Sequence, residues 1–298
     1  MILAGIRGGG KARRAARIIP GMRFAVCNEM FKDWPHGRVA EKVASCGYEG
    51  VEIAPFTLGS APASTTSAER KEVRRAFEGA GLKIIGLHWL LAGTEGLSIT
   101  SPDQAVLRRT AAHLLALIAL CRDLGGELMV FGSPNQRNLA PGADPAAARH
   151  RVVKLFKELA PAAQDAGIVI CFEPLTPKET NFINTMAEGV ALVEAVGHPA
   201  FKLHLDVKAM SGSESKPPAD VIREEGGRHL HHFHANDPNM LGPGMGDLDF
   251  APVAEALKAV RYDRWVSVET FADGPGPEEI ARRSISTLMN TIGGHDGR

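Results

Sequence analysis

Short β-branched or apolar runs, each ending in a chemically useful side chain, recur through this chain about one strand-plus-helix apart. That recurrence limits the fold more than any other feature. The runs 168–173, 202–206, 230–234 and 265–269 end in Glu173, Asp206, His234 and Glu269, spaced 28 to 35 residues apart. Candidate strands cover 23–28, 49–54, 82–88, 127–132, 168–173, 201–206, 230–235 and 264–269. Between them lie helical patterns near 37–47, 67–80, 103–124, 146–166, 185–196, 217–226, 250–260 and 277–292. The third shows a clear apolar recurrence in Val106, Leu107, Leu114, Leu117, Ile118 and Cys121. Helix starts are marked by Ser101-Pro102-Asp103 and Asp249-Phe250-Ala251-Pro252, and helix ends by Gly47, Gly81, Gly125, Gly167 and Gly197. Eight such alternations predict an α/β fold, a closed (β/α)8 barrel. A doubly wound open sheet is the alternative, but no GxGxxG follows the first strand.

One barrel accounts for residues 23–298. Residues 1–22 carry five basic residues, no acid and the triplet Gly8-Gly9-Gly10. They read as a disordered basic extension, with a transit peptide as the other reading. No strand precedes the glycines and no GK[ST] follows them, so they are not a P-loop. Lys plus Arg number 34 against 34 Asp plus Glu. This balance argues against a nucleic-acid or membrane partner. By this reading no apolar stretch reaches the roughly 18 to 20 residues of a membrane span. Cys27, Cys46, Cys121 and Cys171 lie far apart with no CxxC. Buried free thiols in a reducing, cytoplasmic setting are the expectation.

A single acid at a strand end is ordinarily a helix cap or a surface residue. Four potential ligands closing four consecutive strands are hard to obtain by capping alone. In a parallel barrel these positions converge at the C-terminal mouth, so Glu173, Asp206, His234 and Glu269 are expected to hold one divalent cation. Two residues earlier on the same strands stand Cys171, His204, His232 and Ser267, which parity turns to the same interior. Their polarity fits a layer that orients the ligands. Three carboxylates and one imidazole suit Mn²⁺ first, with Mg²⁺ or Co²⁺ as alternatives.

The segments Phe172-Glu173-Pro174, 179–185, His204-Leu205-Asp206, 232–237, 242–250 and Val268-Glu269 resemble the xylose-isomerase-like TIM barrel superfamily. That group includes sugar phosphate isomerases/epimerases, ketose 3-epimerases and endonuclease IV. The resemblance runs from about Met22 to the C-terminus. It implies that Glu173, Asp206, His234 and Glu269 bind the cation, that Glu173 and Glu269 exchange a proton on opposite faces of the carbon beside a ketose carbonyl, and that Glu179 contacts substrate hydroxyls. Two positions depart from the epimerase pattern. Ala209 stands where a substrate-contacting histidine is found, and Met240 where an arginine is found. Ala209 also occupies a histidine position of endonuclease IV, and no Asp-x-His follows His234, so a DNA-repair role is not expected.

Other candidates face the same mouth. His88 and Trp89 follow the third strand; His88 is expected to reach a sugar hydroxyl and Trp89 to cover the sugar's apolar face, with loop packing as the plain alternative. Glu29 and Glu52 are weaker candidates for hydroxyl contacts. Arg137, in the loop 131–137, and Lys208 are expected substrate cations. The segment Gly242–Gly246 is a candidate lid. The expected function is a divalent-cation-dependent isomerase or epimerase of a small ketose or related sugar, with a dehydratase/lyase or a non-catalytic sugar- or metal-binding barrel as alternatives. Pairing into a homo-oligomer is left open.

Overall fold

A computed structural model describes residues 21–293 apart from 60, 61 and 273. All of the expected basic extension except Gly21 and Met22 lies outside the described residues. Eight strands form a closed barrel in chain order: β1 (Arg23–Cys27), β2 (Gly50–Ile53), β3 (Lys83–Leu87), β4 (Leu128–Phe131), β5 (Val169–Phe172), β6 (Phe201–Asp206), β7 (Leu230–Ala235) and β8 (Trp265–Val268). Every pairing is parallel, and β8 closes onto β1 through Phe24 opposite Val266. The helices are α1 (His36–Cys46), α2 (Ser67–Gly79), α3 (Gln104–Leu124), α4 (Pro145–Asp165), α5 (Met186–Val196), α6 (Val207–Ser213), α7 (Pro218–Glu225), α8 (Ala251–Ala259) and α9 (Pro277–Thr291).

The extra helix is the main departure from the sequence reading, which placed a single helix near 217–226. Asp206 ends β6 and at once caps α6, its Oδ1 accepting from Ala209 N at 2.7 Å. The short polar side chain satisfies an otherwise unpaired amide, so the turn forms directly on the strand end. The strand boundaries agree within a residue or two, the usual uncertainty of frayed ends.

Outward strand residues such as Val26, Val51, Met129, Phe131, Phe172 and Phe233 merge with the helices in one large core. Phe156 of α4 packs edge-on to Phe131 at 5.5 Å and lies 4.6 Å from Phe201, a knot that fixes β4, β5 and β6 together. A second, smaller cluster fills the barrel itself: Ala25, Ile85, Leu128, Val130, Cys171 and Trp265. Trp265 closes the N-terminal floor. Its indole N–H donates to Glu127 at 2.6 Å and Arg23 stacks on it at 3.9 Å. The apolar plug keeps water from below, which leaves the C-terminal mouth as the chemical end.

By length and composition, α3 is apolar enough to cross a membrane, contrary to the sequence expectation. Its buried side chains Leu114, Leu117, Ile118, Cys121 and Leu124 belong to the barrel's core, which is a sufficient reason for its apolarity.

Candidate metal centre

Each strand that closes with a potential ligand delivers it to one place. Glu173, Asp206, His234 and Glu269 are all buried, and one ligand atom from each lies within 4.8 Å of all the others. Parity explains the convergence: Cys171, His204, His232 and Ser267 sit one interior layer below, and all four are fully buried.

The imidazole is held from behind. His234 Nε2 lies 3.2 Å from Glu52 Oε2, while its Nδ1 lies 3.1 Å from Glu269 Oε2. Glu52 also takes His232 Nε2 at 2.8 Å. A carboxylate behind a ligating histidine fixes which nitrogen carries the proton, and here that arrangement leaves Nδ1 for the centre. Glu52 is fully buried. It therefore acts on the imidazoles rather than on substrate hydroxyls. Asn236 does the same for Asp206, donating to Oδ2 at 2.5 Å while its own oxygen accepts from Lys208 N at 2.8 Å. Sequence reasoning passed over Asn236, although it lies two residues beyond His234 and so shares its face.

The two outer glutamates are not equivalent. Glu269 is gripped on both oxygens, Oε1 by the Trp89 indole N–H at 2.7 Å and Oε2 by His234. Burial works against its charge, but His234 and the Trp89 hydrogen bond outweigh it, so Glu269 ionises below the ordinary carboxylate value. Glu173 accepts no side-chain hydrogen bond among the described residues, and His204 Nε2 stands 4.0 Å from its Oε1. Burial, then Glu269 and Asp206, hold Glu173 well above the usual range. Burial and then Glu269 push Asp206 up to about 6. Burial and then the two neighbouring imidazoles hold His204 well below the usual histidine value, and neither of its ring nitrogens makes a hydrogen bond among the described residues.

These residues fit a divalent cation. Three buried carboxylates and one imidazole nitrogen converge without enough donors to neutralise them, a donor set suited to a hard or borderline ion. Gly132 supports this reading: a Cβ there would run into Glu173 Oε2, so the backbone leaves the carboxylate room to reach the centre.

Above the cluster opens a cavity of about 260 Å³, lined by Trp89, Ser133, Asn135, Gln136, Glu173, Leu175, Glu179, Glu269 and Phe271 among others. Trp89 stacks on Phe271 at 6.0 Å and leans on Phe56 at 5.9 Å, giving the cavity an apolar wall. Lys208 crosses to Glu179 at 2.7 Å and lies 4.2 Å from the Phe271 ring centre, at the same mouth.

Two expected substrate contacts are placed differently. The Arg137 guanidinium is fully buried and donates to the backbone carbonyls of Glu173 (2.7 Å), Phe131 (3.1 Å) and Gly132. It also lies 4.6 Å from the Phe172 ring centre. It ties the ends of β4 and β5 together and does not line the cavity. His88 is fully buried and bonded to Glu29 at 2.7 Å, beneath the mouth rather than in it. The candidate lid is also elsewhere. Gly242 and Gly244 lie against Ser284 and Thr287 of α9, and Arg283 donates to Gly244 O at 2.9 Å. Those glycines serve close packing on a helix.

Residues 40–291 match the family described as xylose isomerase-like TIM barrel. The D-psicose 3-epimerase of Enterocloster bolteae is 26% identical over 263 residues, covering 85% of this chain and 83% of that protein. The L-ribulose 3-epimerase of Mesorhizobium japonicum is 31% identical over 189 residues, 62% of each chain. A crystal structure of D-psicose 3-epimerase in the presence of D-fructose superposes with a TM-score of 0.81 at 24% identity, covering 92% of this chain and 100% of that one. That last likeness speaks for the fold. With the family match spanning most of its length, the chain belongs to the xylose isomerase-like TIM barrel family.

Proposed function

We propose that the chain is a divalent-cation-dependent sugar epimerase or isomerase that removes and returns the proton beside the carbonyl of a small ketose or related sugar. The observation that carries this reading is the unequal pair of carboxylates at one buried centre under a sugar-sized cavity. Glu269 is held on both oxygens by Trp89 and His234 and ionises below the ordinary carboxylate value, whereas Glu173 accepts no side-chain hydrogen bond among the described residues and is held above that value by burial, Glu269 and Asp206, a bias that suits one to take a proton and the other to return it. The ketose 3-epimerases among the relatives support it.

Glu173, Asp206, His234 and Glu269 would hold the cation, Mn²⁺ being the best match to the donors and Mg²⁺ or Co²⁺ the alternatives. Bound there, it supplies Lewis-acid stabilisation for the charge that builds on the carbonyl oxygen as the proton leaves. Glu269 takes the proton and Glu173 delivers one to the other face of the same carbon. Trp89 and Phe271 exclude water from that side of the cavity. Glu179 and Lys208, paired at the rim, orient substrate hydroxyls. Arg137 and His88 support the strand ends instead. The substrate is a free small molecule, nucleic acid is not a partner, and the enzyme works in the cytoplasm.

Protein loaded with Mn²⁺ and incubated with a panel of ketoses in deuterated water tests the reading. Deuterium is expected beside the carbonyl, and not with Glu269→Gln. Products lighter by one water would assign a dehydratase instead. No exchange with any ketose, with the cation demonstrably bound, would overturn the proposal.

A further inference from the structure

We infer that Trp89 is a positioning residue for Glu269, its indole N–H dividing the work of that carboxylate's two oxygens. The inference rests on the reading of the centre given above and extends it to a residue outside the ligand set. Three observations meet at Trp89. Its backbone sits at φ 51°, in the left-handed region that bulky side chains avoid. The ring is wedged between Phe56 (5.9 Å) and Phe271 (6.0 Å), so the packing rather than local preference sets its place. From that position Nε1 reaches Glu269 Oε1 at 2.7 Å, while Oε2 is left beside His234 Nδ1 at 3.1 Å.

The consequence is geometric. A carboxylate on a free side chain can rotate and exchange its oxygens between the cation and the substrate. Here Oε1 is hydrogen-bonded to a ring packed on both sides, so Oε2, beside His234 Nδ1, is the oxygen that would be left for the cation. Glu173, on the opposite side, has no such donor. Its carboxylate lacks the hydrogen bonds that hold Glu269 on both oxygens. A wall residue serving only as apolar cover would need neither the strained backbone nor an N–H aimed at a buried oxygen.

Trp89→Phe keeps the ring and its stacking and removes only the donor. Three measurements on the full chain test it. Mn²⁺ affinity by calorimetry is expected to fall about 10-fold or more, the usual effect of losing a group that orients a ligand. Wild-type tryptophan emission is expected to change on saturation with Mg²⁺, and most of that change should vanish in Trp89→Phe. With a turned-over ketose, kcat should fall at least 10-fold while KM moves less than about threefold, the pattern of a lost transition-state interaction. The first two readouts need no substrate, so they stand even if no ketose is turned over. Unchanged Mn²⁺ affinity with unchanged emission response overturns the inference. So does a rise in KM alone, which would make Trp89 a substrate wall. Thermal melts of Trp89→Phe and Trp89→Leu guard against misfolding: Leu loses ring and donor together, and its affinity should fall no further than that of Phe if the N–H is the active element.

Discussion

His234 Nδ1 and Glu269 Oε2 lie 3.1 Å apart at the end of two neighbouring strands, and neither is free to leave. The imidazole is fastened by Glu52 from below and the carboxylate by Trp89 from above. Two adjacent donor atoms with rigid supports are the most preorganised part of the centre. Asp206 is likewise held on both oxygens, by Ala209 N and Asn236, whereas Glu173 accepts no side-chain hydrogen bond among the described residues.

Glu52→Gln should weaken the cation centre without touching it. The amide oxygen carries no full charge toward the two imidazoles that share Oε2, and an NH₂ in place of Oε1 would meet the His234 nitrogen as a second donor. Divalent-cation affinity is expected to drop about 10- to 100-fold. Calorimetric titration of folded Glu52→Gln checks this, and affinity equal to the wild type would remove Glu52 from any role behind His234.

Gly132→Ala should act through sterics alone. The new methyl occupies the position now taken by Glu173 Oε2, so the carboxylate must swing away from the centre. We expect an intact far-ultraviolet spectrum and a Mn²⁺ affinity lower by about 10-fold. Glycine is otherwise unnecessary at this position, since its backbone is not in the left-handed region.

Arg137→Met should cost stability. The carbonyls of Gly132 and Glu173 lose the Arg137 donor, while that of Phe131 keeps Glu173 N, and a buried group left unsatisfied costs about 1–3 kcal/mol. At roughly 2–4 °C per kcal/mol for a domain of this size, Tm should fall by several degrees. A variant with unchanged Tm and a raised KM would return Arg137 to the substrate.

The stabilising effect of a cation should grow with pH. Asp206, pushed up to about 6, and His234, held well above its usual value against burial by Glu52 and Glu269, both bind protons more tightly folded than unfolded. Such groups stabilise the cation-free chain most below their unfolded values, about 3.9 and 6.5. They cease to do so as pH rises through the folded ones. A cation replaces those protons. Calorimetric scans with and without Mn²⁺ should therefore show a larger gain in Tm near pH 8 than near pH 5.5, on the order of the linkage just described. Equal gains would mean that the cluster does not carry protons in the absence of the ion.

How far the sequence could be read depends on the range of the interaction involved. The eight-fold alternation and the convergence of four candidate ligands at strand ends follow from local periodicity, and strand parity correctly turns Cys171, His204, His232 and Ser267 inward. The short helix α6 was missed because it is made by one side chain capping its own strand end, a three-residue event that leaves no periodic pattern. Arg137 and His88 were expected at the substrate because a cation or imidazole in a βα loop is reactive in isolation. Nothing local says that carbonyls 131, 132 and 173 will surround the first, or that Glu29 will meet the second. The glycines of 242–246 look like a flexible lid for the same reason, whereas Gly242 and Gly244 allow the close approach of α9 and Gly246 that of Asp237 and Asn239.

By itself, then, the order of residues determined a parallel barrel and which side chains its mouth would display, because period and parity are properties of the backbone. Only the closed structure decided what each of those side chains does. The pairings of Glu52 with His234, Trp89 with Glu269 and Lys208 with Glu179 join residues 29 to 182 positions apart. Burial then sets how strongly each pair feels its charges, and burial is known only once the chain has closed on itself.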